Sequence, residues 1–211
     1  MTPRVGRIRL GVLLLALAFS AAPAAAHIPQ LRGRLTELVS QSDLVIIGTV
    51  AQTRAVDVRH NDTTVRVEGR LIGDVQDPVI TFRAAPYFAP GKRFVFFLHR
   101  EGGGLECVQP SGTLFGARPA DDPTYRETVT AVRRALPRPD AERTAALRAA
   151  MIPALSAAAP PLRYHAVLEL AELSPQGLSP AERRSLEHLL ADPATDPAIR
   201  PIVSRVLARG R

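Results

Sequence analysis

The spacing of apolar residues changes character twice along the chain. From Leu10 to Ala22 the stretch LGVLLLALAFSAA is apolar or small throughout. LRGRLTELVSQSD then places Leu31, Leu35, Leu38 and Val39 at helical spacing, which predicts a short amphipathic helix. From DLVIIGTVAQTRAVDV onward the pattern is strand-like. That β-branched run predicts one long strand, bent near Gly48, and RHND predicts the turn after it. In TTVRVEGRLI, Val65, Val67 and Leu71 alternate with Arg66, Glu68 and Arg70, and PVITFRAAP reads as a third strand. Pro90-Gly91 signals a turn. Phe94, Val95, Phe96, Phe97 and Leu98 follow without interruption, as in a strand buried on both faces or at the centre of a small barrel. Gly102-Gly103-Gly104 makes the next turn, and LECVQPSGTLFGA supplies one or two further short strands. Five or six strands at near-regular spacing predict a small closed or partly closed antiparallel barrel.

Past Pro119 the period is helical. PTYRETVTAVRRAL puts Tyr125, Val129, Val132 and Leu136 on one stripe. A second helix is expected to start at Asp140 as N-cap, with Pro153 kinking or breaking it. Pro161 opens a third. Ser179, Pro180 and Glu182 form a capping-box signature for a fourth, and Asp196-Pro197 lead into the last. The fold class expected is α+β: an N-terminal antiparallel β-barrel over 27–118, a linker at 119–122, and an all-α domain over 123–211.

Two resemblances attach to these motifs. SDLVIIGTV, VRVEGRLIGD and FAPGKRFVFFL in that order resemble secreted bacterial β-domains, and the layout is similar to the OB-like barrel of netrin-type domains, the class that includes the tissue inhibitors of metalloproteinases. The resemblance covers about residues 31–118 and implies a fold. The inhibitors' metal-binding N-terminus is disulfide-bonded, and this chain has no cysteine there. MIPALSAAAPPLRYHAVLEL and EHLLADPATDPAIRPIVSRVL repeat at an offset of 37, which aligns Arg163 with Arg200 and Leu170 with Leu207. The pattern resembles the HEAT-repeat family over about 140–211, and implies a helical stack that needs a cap at its end.

Arg4, Arg7 and Arg9, the apolar run and Ala24-Ala25-Ala26 together form the three parts of a secretory signal. The run is shorter than the roughly 20 residues that span a bilayer. Cleavage is expected between Ala26 and His27, giving a periplasmic or extracellular protein without stable membrane insertion. The formal charge of +7 then shrinks, since losing three arginines leaves 24 basic and 20 acidic residues. They are interspersed, and Lys92 is the only lysine. No basic block with interleaved aromatics is present, which argues against nucleic-acid binding. The single cysteine, Cys107, excludes an internal disulfide, and its setting in GLECVQP reads as a small buried hydrophobe.

Candidate chemistry is thin. A mature N-terminal His27 would offer an amine and an imidazole, the start of a copper brace, but Pro29 removes one amide nitrogen and no second histidine lies at ligand spacing. His60 is placed in a turn, His99 at the end of the apolar strand, and His165 and His188 on helices. Ser111 in PSGTLFG lacks the strand–elbow–helix setting of a hydrolase. Gly102–Gly104 lacks the lysine and helix of a phosphate loop. Asp121-Asp122 read as solvated linker charge. No catalytic, cofactor or metal site is therefore expected. The expectation is a non-enzymatic binding or scaffolding protein of the cell envelope that recognises a protein partner. The alternatives are a protease-inhibitor-like module acting through the mature N-terminus, and a copper-binding protein using His27.

Overall fold

A computed structural model describes residues 34–109, 116–120, 122–173, 178–197 and 199–209. The expected signal with Ala26 and His27, and also Leu31, Ser111 and Asp121, lie outside the described residues. The order is α1 (Leu35–Ser40), β1 (Leu44–Ala55), β2 (Asn61–Ile72), β3 (Val79–Ala84), β4 (Arg93–Glu101), β5 (Gly104–Cys107) and β6 (Ala117–Pro119). Five helices follow: α2 (Thr124–Ala135), α3 (Asp140–Ala154), α4 (Pro160–Leu173), α5 (Pro180–Ala191) and α6 (Arg200–Arg209). The protein is α+β, with a closed five-stranded barrel followed by a helical region.

β1 pairs antiparallel with β2 on one edge and with β4 on the other. β2 pairs with β3, and β4 with β5. A parallel bridge between Arg83 and Glu106 closes the ring in the order β1-β2-β3-β5-β4-β1. β6 lies along the same edge of β4 as β5. Phe97 marks the junction: its carbonyl accepts from the Val108 amide (2.8 Å) and its amide donates to the Gly116 carbonyl (2.6 Å). The chain thus leaves this edge after Val108 and rejoins it at Gly116, and β5 and β6 are two halves of one interrupted strand.

The bend expected near Gly48 is present as a register shift between Ile47 and Gly48. Its cause is close approach, since a Cβ on Gly48 would sit 2.3 Å from Val65 Cγ1 and 2.6 Å from the Arg66 carbonyl oxygen. Only glycine lets the strands meet there. The turn before β2 falls earlier than RHND, because Asp57 organises it: its carboxylate accepts from the amides of Arg59 (2.7 Å) and His60 (2.9 Å). That is a side-chain mimic of a backbone turn, and it lets Asn61 join the ladder.

Strand alternation sorts the apolar residues into two cores. Leu44, Ile46, Val50, Val65, Ile80, Phe82, Phe96, Leu98 and Cys107 fill the barrel. Phe82, Phe94 and Phe96 are joined there by Phe88, whose ring meets Phe94 and Phe96 edge-on at 5.2 and 5.4 Å. Phe88 comes from the β3–β4 loop, pinned by the Thr53 hydroxyl donating to its carbonyl (2.7 Å). The other faces of β1 and β4 carry Val45, Ile47, Val95 and Phe97, which belong to the second core. There they join Leu35, Leu38 and Val39 of α1 and the inward faces of all five later helices. The uninterrupted run Phe94–Leu98 is explained by this: the central part of β4, Val95–Leu98, is buried by the barrel on one side and by helices on the other.

The expected helical signals are largely present. Ser179 and Glu182 make the capping box in both directions. α3 runs through Pro153 and ends one residue later at Ala154, with the Leu155 amide still donating to the Met151 carbonyl (3.2 Å). Asp140 starts α3 rather than capping it from outside. Two residues of the stretch expected as a solvated linker are buried instead: Ala120 and Asp122 are 6% and 5% exposed. The Asp122 carboxylate accepts from the amides of Thr124 (2.8 Å) and Ala159 (2.8 Å), holding the starts of α2 and α4 together. Burial pushes this carboxyl up, but the hydrogen bonds from Thr124, Ala159 and Ala158 outweigh it and leave it below the usual carboxylate range.

One further tie joins the halves, and another closes the helical region. Buried Glu169 of α4 accepts from the amide (2.9 Å) and hydroxyl (2.6 Å) of Thr36, satisfying a donor at the start of α1. Burial raises its carboxyl above the ordinary value, against those hydrogen bonds. At the other end of the helical region Arg200 donates to the carbonyls of Leu190 (2.9 Å) and Asp192 (2.8 Å), closing α5. The other arginine of the 37-residue repeat, Arg163, reaches the Asp192 carboxylate at 3.9 Å.

Candidate binding groove

One wall of the barrel is sealed by helices; the wall formed by β3, β5 and the end of β4 faces outward with polar side chains. The cause is alternation. Phe82, Leu98 and Cys107 point into the barrel, so their neighbours Arg83, His99 and Glu106 point out. The register then aligns them, with His99 opposite Glu106 across β4–β5 and Arg83 opposite Glu106 across β3–β5. Glu101 lies two residues beyond His99 on the same face, at the tight turn where Gly102 and Gly103 take φ of 55° and 84°.

His99 Nε2 is 2.8 Å from Glu101 Oε2, and Arg83 Nη1 is 3.9 Å from Glu106 Oε1. One ligating atom from each of His99, Glu101 and Glu106 can be chosen so that all three lie within 4.8 Å of one another. These residues line a concave cavity of about 520 Å³, with Gln41 at the end of α1 and His60 at the β1–β2 turn on its rim. A second hollow of about 270 Å³ shares Arg83, Glu101 and Glu106 and extends the groove towards Asp62 and Thr81. His60 Nδ1 lies 3.0 Å from Asp57 Oδ2. That contact, followed by the Arg59 amide, holds the Asp57 carboxyl below its ordinary value. The β1–β2 and β3–β4 loops are tied where the Asn61 amide donates to the Ala85 carbonyl (3.0 Å). They expose Val58 fully and Tyr87 to 64%.

Cys107 lies at the groove floor with its thiol pushed up to about 12 by burial. Its burial fits the small buried hydrophobe expected from GLECVQP. His165 is fully buried and accepts from Arg118 Nε through Nε2 (2.9 Å), between the barrel and α4. His188 sits exposed on α5. Gly102 and Gly103 form a hairpin turn and Gly104 begins β5. Of the histidines weighed from the sequence, the structure brings His60 and His99 to one groove. It also adds Arg83, Glu101 and Glu106, which the sequence reading did not single out. The signal that could have found the two glutamates is the pairing of LHRE with GLEC across a glycine turn, which sets His99 against Glu106.

Among the described residues, no helix is long and apolar enough to cross a membrane. No protein-family model matches the chain, and no curated protein sequence matches it either.

Proposed function

We propose that this is an exported, non-enzymatic binding module of the cell envelope, in which the helices brace the barrel and the open wall recognises a protein partner. The observation that carries the reading is the asymmetry of the barrel: one wall is buried under helices, and the other is a concave, polar groove of mixed charge. The ring order β1-β2-β3-β5-β4-β1 fits an OB-like barrel, a class that binds ligands through the β2–β3 face with the β1–β2 and β4–β5 loops. Arg83 comes from β3, His60 from the β1–β2 loop, and Glu101 is the last residue of β4 before the β4–β5 turn. The exposed Tyr87 of the β3–β4 loop suits a protein partner, since tyrosine is enriched among residues that anchor interfaces. The arginine that closes α5 and the 37-residue offset favour a short HEAT-like stack for the helices. The basic residues, apolar run and Ala24-Ala25-Ala26 of the first 26 residues support export.

The test is site-specific photocrosslinking in the native envelope. A photoreactive residue at Arg83 or Glu106 should capture one discrete partner, and the same residue at exposed Arg184 or Arg205 should not. Capture only from the helices, or from no position, would contradict the proposal.

A further inference from the structure

We infer that His99, Glu101 and Glu106 form a binding site for a divalent transition-metal ion, with zinc as the best-suited occupant. The site needs no partner and stands apart from the protein-binding reading. One imidazole nitrogen and two carboxylate oxygens are the donor types zinc takes. The nitrogen disfavours calcium and magnesium, which prefer all-oxygen shells. The backbone presets the arrangement: His99 and Glu106 are a registered pair, and Glu101 is held at the last rung before a two-glycine turn.

The fit is close without being tight. Donors around a tetrahedral zinc with bonds of about 2.1 Å lie about 3.4 Å apart. The donor atoms of the three side chains lie within 4.8 Å of one another. Glu101 is two-thirds exposed and Glu106 one-third, so both carboxylates have room to move by the remaining ångström. An entering ion replaces the His99–Glu101 contact and takes the imidazole in its neutral form. Arg83 acts in two directions. It engages one oxygen of Glu106 and so orients that carboxylate, and its charge opposes the incoming cation. Three protein ligands leave a fourth position open towards the cavity, as in zinc sites that keep a water or accept a further ligand.

Calorimetric titration of Zn²⁺ into the purified full chain tests this. One ion should bind, and His99→Ala or Glu101→Gln should weaken that binding at least tenfold while leaving the metal-free melting temperature unchanged. Arg83→Ala should tighten it several-fold, an effect that a purely structural role for Arg83 would not produce. Mg²⁺ in hundredfold excess should not displace the zinc. The double variant His99→Ala/Glu106→Gln keeps the other four histidines and supplies the background. The inference is overturned if that variant binds Zn²⁺ as the wild type does, or if the wild type binds none.

Discussion

The two walls of the barrel are built from the same kind of strand yet solve opposite problems. On β1 and β4, successive residues such as Val45 and Ile46, or Phe96 and Phe97, are all buried, because helices cover the outside. On β3 burial alternates, on β5 only Cys107 is buried, and the outward positions carry Arg83 and Glu106. The difference teaches where each half obtains its stability. The covered wall is the centre of a core that runs from α1 to α6, so barrel and helices hold each other; the outward face of the open wall contributes little to stability and is free to carry charge.

Substitutions can break this comparison in graded steps. The largest effects belong to the covered wall. Phe96→Ala empties the barrel and Phe97→Ala empties the seam with the helices. Each should cost about 3–5 kcal/mol in urea unfolding, as for other buried aromatic truncations. A much smaller loss for Phe97 would mean that the helices do not depend on the barrel. Gly48→Ala comes next at about 1–3 kcal/mol, because the added methyl collides with Val65 and the Arg66 carbonyl; thermal melting reads it.

Asp122→Asn should cost about 1–3 kcal/mol at neutral pH, the range for a buried hydrogen-bonded charge. Its folded value is depressed, so the stability it contributes is present above the unfolded value near 3.8 and is lost as pH falls through the lower folded one. The variant's stability should therefore fall less steeply on acidification than that of the wild type, which unfolding curves across that acid range will show. The smallest effects sharpen the contrast from the other side. His99→Ala and Glu106→Gln on the open wall should each change stability by less than about 0.5 kcal/mol, as read by urea unfolding.

Much of this was legible in the sequence for a physical reason: periodicity reports which faces are buried. The strand at Phe94–Leu98, the bend at Gly48 and the capping box at Ser179 each announce themselves locally. Asp122 does not, because its partners at Thr124 and Ala159 are brought together only by tertiary packing. The same holds for Glu169 and Thr36. The groove was harder still. His99, Glu106 and Arg83 become neighbours only once the β4–β5 register and the parallel β3–β5 bridge are known, and no spacing along the chain reveals a parallel contact between 83 and 106.

The most direct test of the shared core is native-state amide hydrogen exchange on the full chain. β1, β4 and helices α2 to α4 should exchange as one cooperative unit at the global unfolding free energy, with the β3–β5 seam opening at lower cost. Helices that exchange fully while β1 and β4 stay protected would show two independent units and contradict it.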